Sequence, residues 1–278
     1  MIQDIAPHVF LNQYQPKPPE AQSYILYYEG NQVLMLHKGE QITFPTFQEL
    51  EKENDRLYES YTYLFSVDTD RFYLMEDISY PSPSSFQLEN TQKFRSMSPR
   101  HLAFAGITGY QLYSWYQSHR FCGKCGTPMA PDEKERMMRC TACGQMEYPK
   151  ICPAVIVGIT HGNRLLMSKY AGREYKKYAL IAGFAEIGET IEETVRREVM
   201  EEVGLQVKNI TYYKSQPWSF TDTLLLGFFA ELSGEDEIVL DREELAMAEW
   251  FEREDIPITE QNISLTNEMI LKFKNQGC

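Results

Sequence analysis

The chain has 278 residues, 43% hydrophobic and 24% charged, and its 27 Lys and Arg against 40 Asp and Glu give a formal charge of −13. That length suits two compact domains or one domain with additions, since single cores rarely grow past about 250 residues. The acidic balance argues against a general nucleic-acid binder, whose phosphate affinity needs clustered cations, and runs such as Pro153 to Ile159 and Leu224 to Ala230 fall far short of the ~20 apolar residues that span a bilayer.

The N-terminus MIQDIAPHVF has no signal-peptide pattern, so a cytoplasmic, membrane-free protein is expected. The first hundred residues read as sheet-rich. SYILYYEGNQVLMLHKG places two apolar runs around Glu29-Gly30-Asn31, and YTYLFSVDTDRFYLMED two more around Asp68-Thr69-Asp70, each a hairpin pattern. After a loop from Pro81 to Ser85, Leu102, Ala105, Leu112 and Trp115 recur at helical spacing between Pro99 and His119. Beyond the cysteine segment, Ala154 to Ile159 is a strand, His161-Gly162-Asn163 a turn and Leu165 to Met167 its partner. Ile191 to Val203 is predicted helical, Gln206 to Tyr213 and Thr223 to Leu232 strand-like, and Leu265 to Lys274 a closing helix, a mixture that implies layered α+β architecture.

Four of the six cysteines cluster, with Cys152 and Cys278 outside the group. Cys122-Gly-Lys-Cys125 and Cys140-Thr-Ala-Cys143 form two C-x2-C pairs, each followed by glycine. Two residues between thiols let one tight turn present both to one ion, and two such knuckles complete a tetrahedral Zn²⁺ site. Four thiolates leave no open position, so this zinc is expected to be structural. Around it Lys124, Lys134, Arg136 and Arg139 are mixed with Asp132, Glu133 and Glu135, a near-neutral surface that favours an architectural role over nucleic-acid binding.

The stretch GFAEIGETIEETVRREVMEEVGL, Gly183 to Leu205, fits the pattern G-x5-E-x7-R-E-U-x-E-E-x-G-U, U being bulky aliphatic, through Gly183, Glu189, Arg197, Glu198, Val199, Glu201, Glu202, Gly204 and Leu205. At about 100° per residue, Glu198, Glu201 and Glu202 share one helical face. Like charges so spaced repel by a few tenths of a kcal/mol per pair, so their crowding suggests a bound cation, and a hard ion such as Mg²⁺ would bring the positive charge that a phosphate-bearing substrate needs. Ile191, Val195 and Val199 give the helix an apolar flank, Arg197 is placed to pair with Glu201, Gly183 is expected to allow a tight turn, and Gly204 to cap the C-terminus.

With this box, the chain from Pro153 onward resembles the Nudix hydrolases. The resemblance implies hydrolysis of a nucleoside diphosphate linked to a further moiety, with catalytic Mg²⁺ or Mn²⁺ held by Glu198 and Glu202, and with Glu201 a further ligand or the group that orients or deprotonates the attacking water. The carbonyl of Ala182 and the carboxylate of Glu244, in Asp241-Arg-Glu-Glu244-Leu245, match further metal ligands. The whole layout is similar to the NADH pyrophosphatase family: a sheet-rich N-terminal domain (1–116), a zinc ribbon (117–150) entered through Trp115-Tyr-Gln-Ser-His119-Arg-Phe121-Cys122, and a Nudix α/β/α sandwich (151–278). After the box, Ser215-Gln216-Pro217-Trp218-Ser219-Phe220-Thr221-Asp222-Thr223 matches the family's S-Q-P-W-P-F-P-x-S, with Ser219 and Thr221 replacing prolines and Thr223 the final serine.

From that resemblance Gln216, Pro217, Trp218, Ser219, Phe220, Thr221, Asp222 and Thr223 are expected to contact substrate, together with Arg95, Glu135, Tyr148 and Thr266, while Phe184 is placed to stack on a base or nicotinamide ring. The expected reaction is cleavage of the NAD(H) pyrophosphate to a nicotinamide mononucleotide and AMP by a homodimer. Removal of an NAD cap from RNA, or cleavage of another nucleoside diphosphate derivative, is the alternative. A further rival is a non-catalytic Nudix-fold sensor whose ribbon contacts a nucleic acid or protein, although such sensors often lose box carboxylates and all three are present here.

Overall fold

The computed structural model describes residues 1–80, 85–172, 177–258 and 263–276. Of the predicted loop from Pro81 to Ser85 only Ser85 is among them, and Cys278 lies outside the described residues. No helix among the described residues is long and apolar enough to cross a membrane. The chain divides into two compact units, one of Ile2–Lys150 with Ser219–Thr221, the other of Met1, Ile151–Trp218 and Asp222–Cys278.

In the N-terminal unit both predicted hairpins form: Tyr24–Glu29 pairs antiparallel with Gln32–Lys38, and Thr62–Val67 with Asp70–Met75. A parallel pairing of Tyr24–Glu29 with Asp70–Met75 joins them into one sheet. The helix Arg100–Ser118 lies on that sheet through Leu102, Ala105, Ile107 and Leu112. Its Gly109 lets the backbone come so close that an added Cβ would lie 2.4 Å from Leu26 Cδ1, and the carbonyl of Gly106 accepts from the Tyr28 hydroxyl at 2.6 Å. At the helix end Trp115 packs with Cys122, Met129, Met138 and Cys140, so the last turn forms the wall of the ribbon's small core.

Arg136, on the ribbon, is the second tie within this unit. Its guanidinium donates to Asn12 Oδ1 at 2.7 Å and to the carbonyl of Leu64, and it lies over the Tyr14 ring. The Tyr14 hydroxyl in turn donates to the carbonyl of Asp132 at 3.2 Å.

The C-terminal unit is an α/β/α sandwich, as the α+β reading expected. Its elements are β1 (Cys152–His161), β2 (Arg164–Tyr170), β3 (Ile181–Phe184), α1 (Ile191–Val203), β4 (Val207–Trp218), β5 (Thr223–Leu232), β6 (Leu245–Glu252) and α2 (Leu265–Gln276). The strand order is β4-β5-β1-β2-β6, with β3 also on β1 and β1 parallel to β5. Alternation along β1 splits the core: Val155, Val157 and Ile159 pack with Val195, Val199 and Val203 of α1, while Ile156 packs with Leu265, Met269 and Phe273 of α2.

Two elements, β3 and β6, were not anticipated, and β4 runs beyond its predicted end at Tyr213. Ser215-Gln216-Pro217-Trp218 continues β4, with Gln216 opposite Leu225 and Trp218 opposite Thr223. A proline is tolerated there because β4 is an edge strand, where a missing N–H costs no ladder bond on the open side.

Candidate active site and metal centres

The glutamate helix is fixed at both ends. Thr190 and Glu193 form a reciprocal capping box, the Thr190 hydroxyl accepting from the Glu193 amide at 3.2 Å and Glu193 Oε2 accepting from the Thr190 amide at 2.8 Å. Gly204 ends the helix in the left-handed region, with φ at 69°. Between these caps Val195, Val199 and Val203 are fully buried, which orients the carboxylates.

Arg197 organises the array. Its Nε donates to Glu189 Oε1 at 2.6 Å, Nη1 to Glu198 at 2.7 Å and Glu201 at 2.9 Å, and Nη2 to the Phe184 carbonyl at 2.9 Å and Glu189 Oε2 at 3.0 Å. The expected Arg197–Glu201 pair is therefore one arm of a larger clamp. Glu189, a box position not counted among the candidate site residues, is its main anchor. The bonds from Arg197, aided by the Glu186 amide, hold the Glu189 carboxyl down to about 2. The signal was present in the sequence, because Glu189 and Arg197 are both fixed positions of the box.

Glu198 and Glu202 are buried and Glu201 is exposed. Only 2% of Glu202 is accessible; its Oε1 accepts from the Ala182 amide at 3.4 Å and its Oε2 has no hydrogen-bond partner. Burial first, then the charge of Glu198, pushes the Glu202 carboxyl up to about 8, and burial also raises Glu198. Glu244 adds to the negative field on both. An orphaned buried oxygen in a cluster of mutually repelling carboxylates is the setting a hard divalent cation relieves, so these residues fit the ion the box implies. Glu201 is turned to Arg197, and the three glutamates do not converge as closely as the cysteines do: among the described residues only the cysteines form a group with ligand atoms within 4.8 Å of one another.

Gly183 corrects an expectation. It lies inside β3, paired with Val155, and the left-handed turn glycine of this loop is Gly188, with φ at 97°. What Gly183 provides is room: a Cβ there would lie 2.0 Å from the Glu198 carboxyl carbon. Glu198 is pinned by Arg197 and cannot step aside cheaply. Gly183→Ala is accordingly expected to cost about 1–3 kcal/mol of stability by overpacking and to slow turnover on the order of a hundredfold by shifting Glu198 about an ångström. Thermal melting and steady-state kinetics check both, and full activity would show that the close approach is dispensable.

The four cysteines meet as the spacing predicted. Sγ separations are 3.6 Å for Cys122–Cys143 and 3.5 Å for both Cys125–Cys140 and Cys125–Cys143. Bonds of about 2.3 Å to a tetrahedral zinc give edges close to ~3.8 Å, so the sulfurs already have the right span. The Thr127 hydroxyl and then its amide hold the Cys125 thiol down to about 6, which favours the thiolate that metal binding needs.

The remaining candidates divide between the two units. In the N-terminal unit the Tyr148 hydroxyl donates to Glu135 Oε2 at 2.7 Å, and Arg95 lies over the Phe220 ring at 4.2 Å. Ser219 is buried there; Phe220 and Thr221 belong to the same unit. In the C-terminal unit Phe184 and Pro217 are exposed, Trp218 and Thr266 half-buried and Thr223 buried, while Asp222 adopts φ at 56° and its carbonyl accepts from the Cys152 amide at 2.7 Å. Gln216, expected to contact substrate, is wholly buried, donating to the carbonyl of Ile263 at 2.8 Å and accepting from the Leu265 amide at 2.7 Å. Its amide thus tethers the start of α2.

The NUDIX domain family matches residues 150–270, and the NADH pyrophosphatase zinc ribbon domain family matches residues 117–148. Residues 150–270 thus match a Nudix domain, and residues 117–148 before them a zinc ribbon. Relatives include the NAD-capped RNA hydrolases NudC of Salmonella heidelberg (strain SL476) and Citrobacter koseri, each 43% identical over 150 residues, a stretch that covers 54% of this chain. The chain spans 58% of the length of those relatives. Among solved structures, a Nudix hydrolase from Nitrosomonas europaea is similar at 23% identity and a TM-score of 0.48, covering 56% of this chain and 90% of its own. The C-cap Gly204 and the buried pair Glu198 and Glu202 fall on specified positions of the box, whereas the N-terminal capping pair Thr190 and Glu193 does not.

Proposed function

We propose that the chain is a Mg²⁺- or Mn²⁺-dependent pyrophosphohydrolase that cleaves NAD(H) to a nicotinamide mononucleotide and AMP. The observation that carries this reading is the buried, unpartnered Oε2 of Glu202 beside Glu198, with Arg197 holding the surrounding carboxylates. Glu198 and Glu202 would hold the cation, with Glu201, Glu244 and the carbonyl of Ala182 as further ligands. A divalent ion there supplies positive charge against the pyrophosphate and acidifies water. Arg197 keeps Glu198 and Glu201 in place, and Glu201 is the more accessible carboxylate for orienting or deprotonating the attacking water. Water adds to one phosphorus, the bridging P–O bond breaks, and the departing phosphate retains the bridging oxygen.

The resemblance around Ser215 to Thr223 and the ribbon match support a nicotinamide dinucleotide as substrate, and the four cysteines support structural zinc. Removal of an NAD cap from RNA is the second reading, favoured by the names of the curated relatives. A homodimer in the cytoplasm completes the proposal. The test is a substrate panel of NADH, NAD⁺, ADP-ribose, diadenosine polyphosphates and NAD-capped RNA with Mg²⁺ or Mn²⁺, read by chromatography, alongside light scattering for mass. Preference for NADH or NAD⁺ is expected, and preference for a compound without a nicotinamide end would overturn it.

A further inference from the structure

A groove of about 940 Å³ lies in the C-terminal unit on the α2 side of the sheet, facing away from α1 and the box glutamates. Its origin is local. Gly158 of β1 has no side chain, and the Phe229 ring lies against that bare backbone, 2.7 Å from where a Cβ would stand. Phe229, 8% accessible, therefore underlies the groove beside the buried Phe273 of α2, and Tyr213 of β4 forms a wall.

The charges of the lining run against those of the chain. In a protein of formal charge −13, Lys208, Arg253 and Lys272 line this groove with a single carboxylate, Glu231, already accepting from Asn209 Nδ2 at 2.9 Å. Neither Lys208 nor Arg253 forms an ion pair with a carboxylate among the described residues. The guanidinium of Arg253 lies over the Phe273 ring at 4.5 Å and its Nε donates to Asn163 Oδ1 at 2.8 Å, an arrangement that fixes its plane. Cations around an aromatic floor match a ligand with a phosphate at one end and a planar ring at the other, and ligand pockets run roughly from 300 to 1,000 Å³.

We propose that this groove is a second ligand site, separate from the glutamate array, that takes a nucleoside monophosphate: its phosphate on Lys208, Arg253 and Lys272, and its base against Tyr213 and the accessible edge of Phe229. The site does not depend on the hydrolytic reading. Calorimetric titration of the zinc-loaded full chain with AMP, without Mg²⁺ or Mn²⁺, tests it. Binding at one site per chain is expected to survive Glu202→Gln and to weaken at least tenfold in Lys208→Glu with Arg253→Gln. Thr211→Trp, which fills the groove without changing charge, should weaken it to the same degree, with unchanged melting temperatures showing that the variants fold. Adenosine and inorganic phosphate should each bind at least tenfold less tightly than AMP. Absence of AMP binding, indifference to the groove variants, loss in Glu202→Gln, or phosphate alone binding as tightly as AMP would each overturn the proposal.

Discussion

Glu202→Gln is expected to give a folded chain whose turnover with Mg²⁺ falls at least about a hundredfold, equivalent to roughly 3 kcal/mol of transition-state stabilisation. The substitution keeps shape and polarity but removes the charge that would hold the cation. Its effect on stability has a pH signature. The Glu202 carboxyl stands at about 8 against a reference of 4.5. A carboxyl raised on folding stabilises the fold below its unfolded pKa, and that contribution is lost as pH rises through the folded value. Without Mg²⁺ or Mn²⁺, wild type should therefore lose melting temperature relative to Glu202→Gln between about pH 4.5 and pH 8, and adding Mg²⁺ should restore it. Near-normal turnover, or a melting difference flat with pH, would mean that the glutamate face is a solvated surface.

Cys125→Ser is expected to abolish tight zinc binding and to lower the melting temperature sharply, because metal binding supplies about 10–16 kcal/mol in small zinc modules and the ribbon has little else to fold around. The damage should reach the helix Arg100–Ser118, whose Trp115 is part of the same small core as Cys122 and Cys140. Metal analysis, thermal melting and amide exchange along that helix are the measurements. A zinc-free variant that melts and exchanges like wild type would show the metal to be incidental.

Local pattern made much of the fold readable, and long-range pairing hid the rest. The helix Ile191–Val203 was legible to its last residue because an apolar repeat and a C-cap glycine coincide in one short stretch. The strand Ile181–Phe184 was not, since four residues carry no periodicity and its glycine looked like a turn. What Gly183 does depends on a carboxylate fifteen residues later in the chain, brought close only by tertiary packing. Arg136 was counted as one charge in a neutral mixture, yet its partners are Asn12 and Leu64, a pairing no spacing rule encodes. Gln216 is expected from resemblance to contact substrate, and the fold adds what no spacing encodes, that both ends of its amide are engaged by backbone around α2.

The glutamate helix keeps its fold and its charge pattern on different residues. Thr190, Glu193 and Gly204 hold the ends and three valines hold the middle, while Glu198, Glu201 and Glu202 add little to either. Mutation can therefore remove the carboxylates one at a time without unfolding the domain. A descendant that lost them would keep its shape and its cavities while losing the carboxylates proposed to hold a divalent ion. Loss of the carboxylates and loss of structure are separate evolutionary events in this helix, which would give a lineage with the proposed activity a short route to a ligand-responsive protein.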